Sequence, residues 1–165
     1  MLKTIAGIGT GLFTTVAAVY GINLYSLVNN IEFAFLGIQR IVGGSQLGNI
    51  LAPKFLIATQ ITNPSKITVY LKAMFLTVSV ETQPNKFVEI GTINQPNLNL
   101  EIQGKQNTTL GVEFGTDITL IIGLVARGAV AIYRALTSGN IPKLRFTGNV
   151  LVNKIRKKID IIHEF

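Results

Sequence analysis

The chain of 165 residues has no cysteine, so disulfides, thiolate catalysis and cysteine-ligated metal sites are excluded. Histidine is nearly missing as well, with His163 alone near the C-terminus. A metal site needs more ligands than one imidazole, and a hydrolase needs a nucleophile and an orienting acid beside its base. Charge is scarce: 14% of residues are Asp, Glu, Lys or Arg, against about 25% in ordinary soluble domains. That deficit implies that lipid or protein covers part of the surface. The carboxylates Glu81, Glu89, Glu101, Glu113 and Asp117 are dispersed over strand ends and turns, where acidic residues are usually solvated. Gly7-Ile8-Gly9-Thr10-Gly11 is no nucleotide loop, since no strand precedes it and no Walker lysine follows. These shortages point away from an enzyme, and no residue set implies a cofactor.

The charges that remain are unevenly placed. Net charge is +7, and from Arg127 to Lys158 there are eight basic residues and no acidic one. Between Glu81 and Asp117, five acids stand against Lys86 and Lys105. Such asymmetry suits a surface facing anionic lipid, nucleic acid or an acidic partner; it also fits a plain solvated basic face. Lys154, Arg156, Lys157 and Lys158 form the densest cluster. Neighbouring aromatics for base stacking are lacking, which weighs against nucleic acid.

Thr4 to Ile31, between Lys3 and Glu32, carries no charge at all. About 20 apolar residues span a bilayer as a helix, so the run is long enough. Ile5, Ile8, Leu12, Val16 and Val19 share one helical face as the expected membrane anchor. Gly7, Gly11 and Ala18, with Thr14, form a small-residue seam on another, and its GxxxG lets a second helix approach. A transmembrane helix over residues 1–30 is the leading expectation. A helix buried in a protein assembly and a cleaved signal peptide are the alternatives.

Past this segment the pattern is that of strands. Ile31 to Val42 reads as the first, with Ile31, Phe33, Phe35 and Ile41 on one face. From Lys54 to Val80 two alternating runs flank Asn63-Pro64-Ser65. Phe55, Ile57, Thr59 and Ile61 face inward in the first, and Ile67, Val69 and Leu71 in the second. Proline has no N–H for a ladder and the residue before it is pushed out of helical space, so a turn is expected there. The simplest expectation is a hairpin of adjacent strands. Beyond Lys72 the inward series shifts to Met74, Leu76, Val78 and Val80, as a β-bulge near Lys72-Ala73 would produce. Further short runs follow around Phe87 and Ile90, Leu98 to Ile102, Leu110 to Phe114, Leu144 to Val152, and Ile155 to Ile161. Turns recur roughly every 8 to 12 residues, the spacing of an antiparallel sandwich or barrel.

One segment breaks the period. Ile118, Ile121, Ile122, Val125, Ala129, Ile132, Tyr133 and Leu136 fall at helical spacing between Asp117 and Gly139, giving an inserted helix at about 117–138. A second membrane span is the alternative, but Arg127 and Arg134 would cost roughly 3 kcal/mol each near its middle.

The strand-Asn-Pro-strand unit QITNPSKITVYLKAMFLTVSV, with Val88-Glu89-Ile90-Gly91 after it and the late run from Leu144 through Gly148 to Val150, resembles the late embryogenesis abundant type 2 family, also called the water-stress and hypersensitive-response (WHy) domain. The resemblance covers about residues 31–165. It implies an immunoglobulin-like or fibronectin-like β-sandwich without enzymatic activity, often behind one membrane anchor. The long segment from Thr116 to Gly139 departs from that family's compact domain.

The expectation is therefore a mainly β chain: an antiparallel β-sandwich over residues 31–165, an N-terminal hydrophobic helix and one inserted helix. Its expected role is a non-enzymatic, membrane-anchored structural or interaction module of a cell envelope or lipid-containing virion, with membrane lipid and other protein subunits as partners. The sandwich would stand on the non-cytoplasmic side. A lipid-binding or water-stress-protective domain is the alternative.

Overall fold

A computed structural model describes residues 23–41, 54–116, 119, 123 and 143–164, the side chains of 39–41 excepted. Residues 23–29 are helical (α1) and lead into eight strands. These are β1 (Glu32–Ile41), β2 (Lys54–Asn63), β3 (Val69–Gln83), β4 (Lys86–Gln95), β5 (Leu100–Ile102), β6 (Gln106–Thr116), β7 (Leu144–Val152) and β8 (Ile155–His163). The chain is mainly β, and every pairing among the described strands is antiparallel.

The strands form one hydrogen-bonded path, β1-β2-β6-β4-β3-β7-β8, with β5 added to the start of β3. Its joint is narrow. β4 and β6 share only the pairs Gly91↔Thr116 and Thr92↔Gly115. A Cβ placed on Gly91 would lie 2.5 Å from the Gly115 carbonyl oxygen, so glycine is what lets the two backbones meet there. About this joint the sheet curls until Phe35 of β1 stacks on Phe146 of β7, ring centroids 3.7 Å apart. The apolar faces of the two halves thereby close one core, which includes Phe55, Ile57, Leu71, Met74, Ile90 and Val150.

Alternation explains the strands. In β2, Phe55, Ile57, Thr59, Ile61 and Asn63 are buried while the residues between them are half-exposed. In β3, the register shifts between Leu71 and Ala73 opposite β7, leaving Lys72 as the extra residue. This is the bulge that the phase change predicted, and Met74, Leu76, Val78 and Val80 are buried beyond it. A second irregularity, between Phe35 and Gly37 of β1, leaves Leu36 outside the ladder and exposed.

Two expectations fail at Asn63-Pro64. The expected hairpin does not exist, because β2 pairs with β1 and β6 while β3 pairs with β4, β5 and β7. The stretch instead carries the chain from one half of the sheet to the other. Alternation reports which face of a strand is buried but not which strand lies beside it, so a hairpin and a crossing read alike. Ile67, expected inward, is 60% exposed because it belongs to the turn and β3 begins only at Val69.

α1 is part of the folded core. Leu24, Leu27, Val28 and Ile31 follow helical spacing; Leu27, Val28 and Ile31 are buried, and Leu24 packs against them. Core packing thus reaches at least as far back as Leu24, ahead of the expected boundary at residue 31. The expected anchor residues Ile5, Ile8, Leu12, Val16 and Val19 and the seam Gly7, Gly11 and Ala18 lie outside the described residues. Among the described residues, no helix is long and apolar enough to cross a membrane. Of the expected inserted helix only Thr119 and Gly123 are described, and both are helical.

Candidate functional site

Five segments converge at one end of the sheet: α1, the β2–β3 crossing, the turn after β4, the β5–β6 turn and the β7–β8 turn. The crossing is built on a single amide. Asn63 is fully buried, yet its side chain is fully engaged. Its Nδ2 donates to the carbonyls of Ile67 at 2.8 Å and Ile102 at 3.1 Å, tying β2 to the turn and to β5. Its Oδ1 accepts from the Ser65 hydroxyl at 2.7 Å and the Ser65 N–H at 3.2 Å. Only an amide offers two donors and an acceptor with two lone pairs in this geometry. Ser65 Oγ, its one proton given to Asn63, accepts from the Ile67 N–H at 3.1 Å.

The neighbouring turns lock onto this crossing through backbone. Lys105 N–H donates to the Ser65 carbonyl at 2.7 Å. Gly104 packs so closely that a Cβ would lie 2.5 Å from the Lys66 carbonyl carbon, so Lys66 and Lys105 are held side by side. On the other flank, Asn153 N–H donates to the Tyr70 carbonyl at 2.7 Å, and Tyr70 N–H donates to Asn153 Oδ1 at 2.9 Å. That exchange fixes Lys154 beside the start of β3. Lys72 donates to Asn99 Oδ1 at 3.0 Å, with its ammonium 5.1 Å from the Tyr70 ring. A cleft of about 280 Å³ runs between α1 and the crossing, lined by Asn23, Ser26, Leu27, Asn30, Pro64 and Ser65.

The expected basic cluster divides in two. Lys154, Arg156 and Lys158 are exposed, with Arg156 and Lys158 on the outer face of β8. Lys157 points the opposite way and is half-buried. Its Nζ donates to the carbonyls of Asn29 and Ile31, each at 2.6 Å, where α1 gives way to β1. Helix ends leave carbonyls without intrahelical donors, and the ammonium supplies what they lack. Burial lowers the Lys157 pKa, opposed by the charge of Glu32. Lys157 is therefore a clamp on α1 and not a surface charge. The signal was present in the sequence: it shares parity with Ile155, Ile159 and Ile161.

At the other end of the sheet the charges pair with one another. Lys143 bonds Glu164, and Arg145 makes a two-pronged contact with Asp160, Nε to Oδ1 and Nη2 to Oδ2, both 2.8 Å. The hydrogen bond from Arg145 is the main cause that lowers the Asp160 pKa, and Asp160 raises that of Arg145. His163 ends β8 opposite Leu144. Glu81, Glu89, Glu101 and Glu113 lie on four different strands, and Asp117 lies outside the described residues. Among the described residues, no three His, Cys, Asp or Glu side chains are grouped to hold a metal ion.

No family model and no curated protein matches the chain. Among solved structures, a protein from Archaeoglobus fulgidus is similar at a TM-score of 0.48 and 8% identity, over 79% of this chain and 93% of that one. A Bordetella pertussis protein given the provisional name ApaA is similar at a TM-score of 0.39 and 8% identity, over 80% of this chain and 88% of that one.

Proposed function

We propose that the chain is a non-enzymatic, membrane-tethered interaction module, in which an uncharged N-terminal segment holds a β-sandwich at a bilayer beside other proteins of an envelope or lipid-containing particle. The observation that carries this reading is the join between tether and domain. Once Leu24 to Ile31 are assigned to the core, the uncharged residues left are Thr4 to Asn23. That run is still about 20 residues, or about 30 Å as a helix, the thickness of a hydrocarbon core. It meets the sheet through a helix whose far end Lys157 clamps, so a pull on the tether is passed to the last strand.

In this reading the two halves of the curled sheet are the layers of an immunoglobulin-like sandwich, β1-β2-β6 facing β5, β4, β3, β7 and β8. The Phe35–Phe146 stack supports the face-to-face arrangement. The late embryogenesis abundant type 2 resemblance stands as the finer alternative. It is favoured by Asn63-Pro64, whose amide organises the crossing, and it would make lipid handling or membrane protection under water stress the role.

Extraction tests the tether. The full chain expressed with membranes is expected to resist alkaline carbonate and to leave only with detergent. Leu12→Arg, which adds roughly 3 kcal/mol to insertion of a span, should shift it toward the soluble fraction. Complete release of the unmodified chain by carbonate would sink the tethered reading.

A further inference from the structure

We propose that the end of the sheet carrying Lys66, Ile67, Lys105 and Lys154 docks on an anionic lipid surface, with Ile67 reaching headgroup level. The inference rests on the membrane-tethered reading and adds which face meets the bilayer and which lipids it prefers.

Charge is the first support. Lys66, Lys72, Lys105, Lys154 and Arg156 gather at this end against Glu32 and Glu101. At the opposite end Lys143 pairs with Glu164 and Arg145 with Asp160, and the remaining cations there, Lys54 and Lys86, share that end with Glu81, Glu89 and Glu113. At the docking end Lys66, Lys105, Lys154 and Arg156 form no salt bridge with any described residue. Their field is left for an external anion.

Apolar exposure at the same place is the second support. Ile67 is 60% exposed next to Lys66, and Tyr70 is 40% exposed, bonded through its backbone to the turn that carries Lys154. An aliphatic side chain and a tyrosine set among lysines match a membrane interface, where lysine stems lie along apolar surface and tyrosine sits at the headgroups. A soluble polyanion would be met by the lysines alone and would leave Ile67 in water.

Position is the third. Asn23 lines the cleft with Pro64 and Ser65, so the uncharged run joins the domain at the crossing that presents Lys66 and Ile67. A bilayer reached through residues 4–23 would therefore face the lysines first.

A lysine near an anionic surface raises partition roughly fivefold, so neutralising three should weaken it roughly a hundredfold, with the effect fading as salt rises. The missing cysteines make the test simple, because an introduced one is unique. The full chain bearing Ile67→Cys or, at the far end, Gln83→Cys carries an environment-sensitive fluorophore and is mixed with vesicles of phosphatidylcholine alone or with phosphatidylserine, each containing a headgroup-level quencher. Quenching at position 67, absent at 83, is expected with phosphatidylserine and should be lost with Lys66→Gln/Lys105→Gln/Lys154→Gln. It should persist with Lys54→Gln/Lys86→Gln, circular dichroism confirming that both variants fold.

If the chain floats with both vesicle types and position 67 stays unquenched, docking is overturned while the tether stands. If position 67 is quenched with phosphatidylserine but carbonate strips the chain, docking stands and the tether falls. Equal quenching in both vesicle types would overturn the anionic preference. Lysine-dependent binding of a soluble polyanion with position 67 unquenched would assign the surface to that class of ligand instead.

Discussion

Phe35 and Phe146 lie face to face, centroids 3.7 Å apart and planes 16° apart, although β1 and β7 stand toward opposite ends of the hydrogen-bonded path. No backbone ladder joins those strands, so side-chain packing is what holds the curled sheet closed there. Phe35→Ala and Phe146→Ala should each cost about 3 to 5 kcal/mol in denaturant unfolding. In a double-mutant cycle the coupling should be about 0.5 to 1.5 kcal/mol beyond lost area. Strict additivity would mean the stack does not bridge the halves.

Asn63 allows a sharper comparison. Asn63→Asp keeps the shape but turns a two-proton donor into an acceptor facing the Ile67 and Ile102 carbonyls. It should destabilise by about 3 kcal/mol or more at neutral pH, since buried groups left unpaired cost roughly 1 to 3 kcal/mol each. Acidification should return part of the loss, because a protonated carboxyl can donate again. Unfolding curves at neutral and acid pH check this; a loss independent of pH would show that the amide protons matter little.

Lys157→Met retains the stem and removes the ammonium from the Asn29 and Ile31 carbonyls. The expected loss is about 1.5 to 3 kcal/mol, the range for hydrogen bonds to a charged group. Hydrogen exchange should show it first as faster exchange in α1 and the start of β1. Lys157→Arg should recover much of the protection, and unchanged exchange in Lys157→Met would remove the clamp from the structure.

The Arg145–Asp160 pair sets a weak acid limb. Asp160 has its pKa lowered in the folded state by the Arg145 hydrogen bond. Its contribution is therefore present above the unfolded carboxylate pKa and fades as pH falls through the folded one. Both groups are exposed to solvent, which screens the pair and keeps the effect small. Asp160→Asn should make thermal stability slightly less sensitive to acid, and an unchanged slope would show that the pair adds nothing in solution.

Much of the strand pattern was legible because burial follows parity. The sequence placed Phe55, Ile57, Thr59 and Ile61 on the core face and located the bulge at Lys72, both local consequences of a period of two. Pairing was not legible, since β2 and β3 meet partners from distant parts of the chain and alternation carries no address. Ile67 shares the parity of Val69 and Leu71 but sits in a turn whose geometry depends on the Ser65 and Asn63 side chains, which alternation does not encode. The site was half visible: composition marked Lys154, Arg156 and Lys158. The convergence of Lys66 and Lys105 depends on Gly104 packing against a segment 38 positions earlier, measured from Lys66.

The Lys157 clamp also imposes an order of events. Its acceptors, Asn29 and Ile31, lie 128 and 126 positions before it, so during synthesis α1 appears long before the residue that secures its end. In the membrane-tethered reading, a chain made from its N-terminus would meet the bilayer with its uncharged run while the clamp, and the strand bearing it, do not yet exist. If the membrane-tethered reading proposed above holds, tethering and folding are separate steps, and completion of β8 is the moment at which a tether would become mechanically continuous with the sheet.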